Sequence, residues 1–196
     1  MANTAIAISG WEKAIMAAER VKERLRRAAR ALDDVGVAYA VVGGNAVAEW
    51  VARIDEGAVR TTRDVDLLVR REDFDRVRVA LEGVGFVHHR ILGLDTFLDG
   101  DTGRPSEGLH ILYAGEKVNP GDQHALPEVG DSERGIDFQV ANLEALVLMK
   151  LIANRRKDQV HLLDLIGVGQ IDSTWPARFP PPLGERLQAL LDDPGG

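Results

Sequence analysis

The sequence predicts an α/β fold: a small, mixed and mostly antiparallel sheet flanked by helices, with a helical C-terminal part. Two observations lead to this prediction. Stretches with the apolar period of a helix alternate with short runs of branched and aromatic residues. The chain also has 196 residues, of which 45% are hydrophobic, which is enough for one globular domain to bury a core between its sheet and its helices without disulfide bonds. We therefore expect a single domain over residues 1–196. The lack of cysteine excludes a thiol nucleophile and a cysteine-ligated zinc site.

The N-terminal half is predicted to alternate between helices and strands. Apolar residues recur every three or four positions over residues 11–34, which predicts an amphipathic helix that Gly36 ends. The apolar run 37–42 predicts a buried strand that passes into Gly43 and Gly44. The elements expected next are a helix over 45–53, a strand over 64–69 and a helix over 73–83.

The second half is predicted to begin with short strands and to end in helices. Segment 114–135 is rich in Gly, Pro and polar residues, which predicts a long loop. Pro180, Pro181 and Pro182 predict a stiff extended spacer before a terminal helix. Strands are expected at 85–92, 96–98, 108–113 and 136–140, and helices at 143–154, 157–166 and 183–191. The core should span about residues 37–166, followed by a C-terminal tail over 170–196.

Charge and hydropathy exclude some classes of partner. The formal net charge is -7, from 31 acidic and 24 basic residues, which disfavours non-specific binding of nucleic acids. The longest stretch without charged or strongly polar side chains, residues 35–44, is much shorter than the ~20 residues that span a bilayer. The N-terminal residues lack the basic start of a secretory signal. We expect no membrane partner and a cytoplasmic location.

Two short motifs carry chemistry. Gly43 and Gly44 stand between a strand and a helix, where unobstructed backbone N–H groups can bind a phosphate. Asp64 and Asp66 are two positions apart on the next strand, so both side chains point to one face, roughly 7 Å apart at the backbone. Two such carboxylates can hold one or two divalent ions. The alternative is a charged strand end that faces water.

In this order, the motifs resemble the hallmark of the DNA polymerase β-like nucleotidyltransferase superfamily. The resemblance rests on VVGGNA at 41–46 and TRDVDLLV at 62–69. Residues 143–158, with Lys150 inside a leucine-rich run and Arg155-Arg156-Lys157-Asp158 after it, are further similar to the AbiEii/AbiGii-type nucleotidyltransferase toxin family. The matches span about residues 37–166. The predicted fold is accordingly nucleotidyltransferase-like.

The resemblance implies the transfer of a nucleoside monophosphate from a nucleoside triphosphate to an acceptor hydroxyl. It implies magnesium or manganese as the cofactor and RNA, a protein or a small molecule as the acceptor, and in a toxin an antitoxin partner. Asp64 and Asp66 would hold the metal. Gly43, Gly44 and Asn45 would contact the nucleotide phosphates. Arg60 and Arg63 flank the metal site and could hold phosphate bidentately; the alternative is that they are solvated loop charges.

Lys150 also has a physical argument of its own. It lies in an almost wholly apolar run, and a buried ammonium needs a carboxylate or a phosphate within reach. An unbroken helix would give Lys150 a polar seam with Asp158, His161 and Asp164. By resemblance, the lysine and the following aspartate lie beside the triphosphate or the acceptor. The alternative is a snorkelling lysine at a helix end with Asp158 as its surface partner.

The third carboxylate that catalytic family members use as a general base has no clear counterpart. The candidates are His110, on the strand expected at 108–113, and Asp137, on the strand expected at 136–140. Strand alternation pairs His110 with Leu112 and Asp137 with Gln139, so we predict Asp137 as the third acid, together with Asp64, Asp66 and Lys150 as catalytic residues. The competing hypothesis is a catalytically degenerate module that binds a nucleotide or a partner protein without turnover.

Overall fold

The computed structural model describes residues 9–118, 121 and 123–195. Six α-helices and seven β-strands occur in these residues. In chain order they are α1 Gly10–Asp34, β1 Tyr39–Val42, α2 Gly43–Ala52, β2 Val65–Val69, α3 Phe74–Gly83, β3 Phe86–Ile91, β4 Leu94–Asp99, β5 Leu109–Tyr113, β6 Ser132–Arg134, β7 Gln139–Ala141, α4 Leu143–Ala153, α5 Arg156–Gly167 and α6 Pro181–Asp192. Among the helices of this part of the chain, none combines the length and the apolar character that a transmembrane span needs.

All seven strands form one sheet in the order β3-β4-β5-β2-β1-β7-β6. The pairs β2–β5 and β1–β7 are parallel, and the other four pairs are antiparallel. The fold class is therefore confirmed as α/β with a mixed, mostly antiparallel sheet. The two central strands, β1 and β2, carry the glycine pair and the aspartate pair at adjacent ends, because Val42 is the partner of Asp66 in their register.

Each face of the sheet has its own apolar core. Helices α1 and α3 cover one face, where Leu32, Leu67 and Ile111 are fully buried. Helices α2, α4, α5 and α6 cover the other face, with Leu68 and Leu146 in its core. Since side chains alternate along a strand, Asp66 emerges on the same face as Leu68, under the C-terminal helices.

Helix α1 begins at a capping box, in which Ser9 Oγ accepts from the Glu12 amide and Glu12 Oε2 accepts from the Ser9 amide. The predicted apolar stripe is only partly buried. Leu25 is 4% exposed, whereas Trp11 and Ile15 are 76% and 49% exposed. The period is helical throughout, but the first turns of α1 lie in solvent.

Two predictions about the C-terminal half need correction. Pro181 and Pro182 form the first turn of α6 rather than an extended spacer, because proline fits the first turn of a helix, where its missing N–H is not required. The predicted loop 114–135 includes residues 119, 120 and 122, which lie outside the described residues. The rest of that segment contains the edge strand β6 and buries Leu126 and Val129 in the core.

Candidate active site

The register of two strands brings three ligand-type side chains together. Strand β2 carries Asp66, with Asp64 just before it, and the parallel neighbour β5 carries His110 opposite Asp66. His110 Nδ1 lies 3.2 Å from Asp66 Oδ1 and 3.9 Å from Asp64 Oδ2. Each of the three residues offers a ligand atom within 4.8 Å of the other two. The hydrogen bond to Asp66 raises the pKa of His110 above its usual value, against the effect of partial burial, so the cluster attracts positive charge.

Position 43 requires glycine, because the Asp66 side chain lies where a Cβ would be. Gly43 begins α2 with a φ of 68°, and a Cβ at this position would lie 1.9 Å from Asp66 Oδ2. At Gly44 a Cβ would meet the Thr62 Cβ at 3.0 Å. The predicted glycine pair therefore lets the Asp66 carboxylate lie against the N-terminus of a helix, where backbone N–H groups are available to an anion.

Asp64 is fixed from two sides. Thr62 Oγ1 donates to its carboxylate, and Asn45 Nδ2 donates to its backbone carbonyl at 2.8 Å. Burial alone would raise the pKa of Asp64, but the hydrogen bond from Thr62 and the positive charge of Lys157 hold it below the usual value. The Asn45 amide, which was expected to contact phosphate, instead positions the entrance of β2.

Arg63, the other predicted phosphate ligand, is not among the residues that line the cleft around this cluster. Its side chain is exposed, and its backbone carbonyl accepts from Arg24 Nη2 at 3.3 Å. Arg155 and Lys157 supply positive charge to the cleft instead. In the sequence these two cations belong to the basic run before Asp158, which supports the family resemblance but predicts no role for either residue.

Lys150 and Asp158 form a buried ion pair. Lys150 Nζ lies 3.2 Å from Asp158 Oδ1, with exposed fractions of 5% and 1% for the two residues. Arg155 Nε donates to Asp158 Oδ2 at 2.7 Å, and the Arg155 amide donates to the same oxygen. Burial lowers the pKa of Lys150, while Asp158 opposes the shift. The alternative of a snorkelling lysine with a surface partner is therefore wrong.

The predicted unbroken helix does not form between these two residues. Asn154, with a φ of 45°, ends α4 in a left-handed conformation, and α5 begins at Arg156. The turn brings Asp158 back to Lys150. His161 lines the same cleft, whereas Asp164 accepts from Arg60 Nε at 2.9 Å and does not join the predicted seam.

These groups line one cleft of about 580 Å³. Its size falls in the range of roughly 300–1,000 Å³ that small-molecule sites occupy. Asp64, Asp66 and the two glycines come from the adjacent ends of β1 and β2, whereas Lys150, Arg155, Lys157 and the paired Asp158 come from α4, α5 and the turn between them. The principal residues are Gly43, Gly44, Asp64, Asp66, His110, Leu112, Leu126, Met149, Lys150, Arg155, Lys157, Asp158 and His161.

The prediction of Asp137 as the third acid needs correction, because the structure does not bring it to the aspartate pair. Strand β7 begins at Gln139, so Asp137 lies in the bend before it, where strand alternation does not apply. Its Oδ2 accepts from Arg26 Nε at 2.7 Å, and it lines a separate cleft together with Phe138. His110 occupies the third position beside Asp64 and Asp66.

A larger cleft, of about 760 Å³, lies between Trp50 and Trp175. Its acidic residues Glu133 and Glu144 form ion pairs with Arg53 and Arg178. These arginines also stack on the two tryptophan rings. Two of the three carboxylates that line this larger cleft are therefore paired with arginines, and the third, Asp131, accepts from the Glu128 amide. In the smaller cleft, by contrast, Asp64 and Asp66 form no ion pair with a lysine or arginine of the described residues.

We expect His161 to make the fold sensitive to mild acid. Burial and the nearby Lys150 ammonium lower its pKa from 6.5 to about 4, so the folded state binds a proton less readily than the unfolded state. The stabilisation by neutral His161 is complete above the unfolded pKa and is lost as the pH falls from there toward 4. In melting curves between pH 4.5 and 7.5, His161→Gln should lose less stability on acidification than the wild type. The control His89→Gln, at an exposed position, should lose as much stability on acidification as the wild type. If stability falls with pH equally in all three proteins, the prediction is wrong.

No protein-family model and no curated protein matches the sequence, but several solved structures resemble the fold. The antibiotic-resistance factor ANT(2'')-Ia, solved with adenylyl-2''-tobramycin, is 14% identical with a TM-score of 0.55, over 87% of this chain and 98% of its own. JHP933 from Helicobacter pylori is 14% identical with a TM-score of 0.53, over 96% of this chain and 77% of its own. An antigenic nucleotidyltransferase-like protein from Paracoccidioides brasiliensis is 16% identical with a TM-score of 0.50, over 76% of this chain and 75% of its own.

At these identities the likeness concerns architecture alone, and the finer resemblance to AbiEii/AbiGii-type toxins stays a prediction. Two of the three structures are nucleotidyltransferases or nucleotidyltransferase-like proteins by name or by the adenylylated product they hold. The chain therefore shares the nucleotidyltransferase-like fold of these structures.

Proposed function

We propose that this protein is a divalent-metal-dependent nucleotidyltransferase. It would transfer a nucleoside monophosphate from a nucleoside triphosphate to an acceptor hydroxyl, with pyrophosphate as the leaving group. The observation that supports this most is the division of charge in one cleft. Asp64 and Asp66 lie beside the amide groups of Gly43 and Gly44, and the cations of α4 and α5 line the helix side.

The donor set of the cleft suits a divalent ion. Hard cations prefer carboxylate oxygens, and Asp64 is held in its ionised form by Thr62 and Lys157. Asp64 and Asp66 would hold the ion, which, when bound, offsets the negative charge of the phosphates and of the acceptor oxygen. The distances in the cluster support this role, since its ligand atoms lie within 4.8 Å of one another.

The chain's own groups would bind and orient the triphosphate. The α2 N-terminus, beginning at Gly43 and Gly44, offers backbone N–H groups to phosphate oxygens. Lys150 has three N–H donors and gives one to Asp158, which leaves donors for an anion in the cleft. Arg155 adds a guanidinium beside it, and both cations offset charge that develops on the leaving pyrophosphate.

A second candidate function is binding without turnover. The observation that favours it is that the third side chain beside Asp64 and Asp66 is His110, whereas the family resemblance implies a carboxylate as the third catalytic group. An inactive protein would keep the phosphate and metal contacts but would not activate the acceptor hydroxyl. Whether the acceptor is RNA, a protein or a small molecule, and whether an antitoxin binds a toxin-like enzyme, stay expectations from the family resemblance.

Labelled nucleotides separate these functions. Purified protein is incubated with Mg²⁺ or Mn²⁺, a cell extract, and each nucleoside triphosphate labelled at either the α or the γ phosphate. We expect the α label to enter an acceptor and the γ label to leave with pyrophosphate, and Asp66→Asn to abolish both events. Binding of nucleotide without incorporation supports the inactive module. Incorporation of the γ label contradicts the proposal, because it indicates phosphoryl rather than nucleotidyl transfer.

A further inference from the structure

The imidazole of His110 is oriented by a backbone carbonyl outside the aspartate cluster. Its Nε2 lies 3.3 Å from the Pro105 carbonyl oxygen. A carbonyl oxygen can only accept, so Nε2 carries the hydrogen of this bond. The other nitrogen, Nδ1, is therefore the one that faces the Asp66 and Asp64 carboxylates, at 3.2 and 3.9 Å.

The Pro105 carbonyl is held in place by the chain around it. It also accepts from the Gly108 amide at 3.2 Å, which closes the short turn before β5. Gly108 packs against β4 so closely that a Cβ would lie 2.9 Å from Thr96 Cγ2. The imidazole ring is thus fixed at both ends, by the turn at Nε2 and by the aspartate pair at Nδ1.

This arrangement is the one that metal-binding histidines use. Such a histidine donates one ring N–H to a carbonyl or a carboxylate and presents the lone pair of the other nitrogen to the metal. Without a metal, Nδ1 donates its hydrogen to Asp66. A metal ion that takes the place of this hydrogen binds the lone pair of Nδ1, because the Pro105 carbonyl keeps the other hydrogen on Nε2, and the same ion satisfies the two carboxylates.

The chemistry of this donor set discriminates between metals. Mg²⁺ requires oxygen ligands in near-ideal octahedral geometry, whereas divalent transition ions accept imidazole nitrogen alongside carboxylates. We propose that His110 is the third ligand of the metal centre and that it makes the centre select Mn²⁺ over Mg²⁺. The inference deepens the proposed function and rests on its metal site. It also assigns His110 to metal binding instead of proton abstraction, because a nitrogen whose lone pair binds a metal cannot take a proton from the acceptor.

The test measures metal binding by metal-free protein, without turnover. Mn²⁺ is titrated and followed by electron paramagnetic resonance, first alone and then with a non-hydrolysable nucleoside triphosphate, and Mg²⁺ is added as a competitor. The variants are His110→Asp, which supplies the third carboxylate, and His89→Asp, which makes the same charge change at an exposed position. We expect His110→Asp to reduce the preference for Mn²⁺ over Mg²⁺ by about tenfold or more, and His89→Asp to keep it.

A spectroscopic signature completes the test. Electron spin echo measurements on the Mn²⁺ complex should show coupling to an imidazole ¹⁴N in the wild type and in His89→Asp, and this coupling should be lost in His110→Asp. Mn²⁺ bound without the coupling, an unchanged preference in His110→Asp, or no Mn²⁺ binding under either condition overturns the proposal. A protein with the coupling but no transfer contradicts only the proposed function, and transfer without the coupling contradicts only this inference.

Discussion

Asp158→Leu is expected to lower the free energy of unfolding by about 3–5 kcal/mol, the typical cost of leaving one charge of a buried pair without its partner. The variant leaves the Lys150 ammonium, which is only 5% exposed, without its carboxylate. It also removes the acceptor for the Arg155 amide and guanidinium at the start of α5. Urea denaturation of the purified variant measures the loss.

The partner variant should cost much less. Lys150→Met keeps most of the apolar contact of the lysine stem, and Asp158 retains its bonds to Arg155. We expect a loss of about 1–2 kcal/mol. The double variant Lys150→Met/Asp158→Leu should recover most of the stability that Asp158→Leu loses, since an apolar pair can replace a buried ion pair at little cost. If the two single variants lose equal free energies of unfolding, and these losses add in the double variant, Lys150 and Asp158 are not a coupled buried pair. If Asp158→Leu does not fold, the double variant can still be measured.

Gly43→Ala is expected to abolish metal-dependent binding of a nucleoside triphosphate. A Cβ at this position would lie 1.9 Å from Asp66 Oδ2, so the carboxylate must leave the place in which it faces the α2 N-terminus. The backbone φ of 68° adds a strain of about 1–2 kcal/mol for any residue with a side chain. Binding is measured by fluorescence with a labelled triphosphate in the presence of Mg²⁺ or Mn²⁺.

Gly36→Ala is the matched control for this experiment. Gly36 has a similar φ of 62°, but a Cβ there meets nothing within 4 Å. The two variants should therefore lose similar stability from the strained backbone, while only Gly43→Ala loses binding. Binding that survives in Gly43→Ala, or that disappears in both variants, contradicts the role assigned to the glycine pair.

The local part of the site could be predicted from the sequence because its causes are local. A strand that ends in Gly43 and Gly44, and carboxylates spaced as Asp64 and Asp66, mark a candidate phosphate and metal site within a few residues of chain. A buried partner for Lys150 could also be predicted, because an ammonium in an apolar run needs a partner wherever the turn lies. The left-handed Asn154 changed the path to Asp158 but not the pairing.

The third member of the cluster could not be predicted, because its position depends on contacts between distant strands. His110 meets Asp66 only because β5 pairs with β2 in parallel, in a register that puts the two residues opposite each other. Asp137 was preferred on the assumption that the strand began before it. The strand instead starts at Gln139, where pairing with β6 begins, and Asp137 forms an ion pair with Arg26. Alternation within one strand cannot reveal where that strand starts.

The same limit explains the partly exposed helix α1. Its apolar period is regular from Trp11 onward, and the sequence alone predicts one continuous buried stripe. Full burial begins only at Val21, because the helices and strands of the described residues leave the first turns of α1 exposed. Amphipathic periodicity therefore predicted the secondary structure correctly, whereas the extent of burial depended on the length of the neighbouring elements.

Thermal unfolding with a non-hydrolysable nucleoside triphosphate and Mn²⁺ or Mg²⁺ measures whether the cleft at Asp64 and Asp66 binds a metal–nucleotide complex. At about 100 times the dissociation constant, the ligand should raise the Tm of the wild type by roughly 5–10 °C. Asp66→Asn should fold and show no increase. Asp137→Asn, the same substitution in the separate cleft, should show the wild-type increase. An increase that persists in Asp66→Asn, or that disappears in Asp137→Asn, contradicts the account.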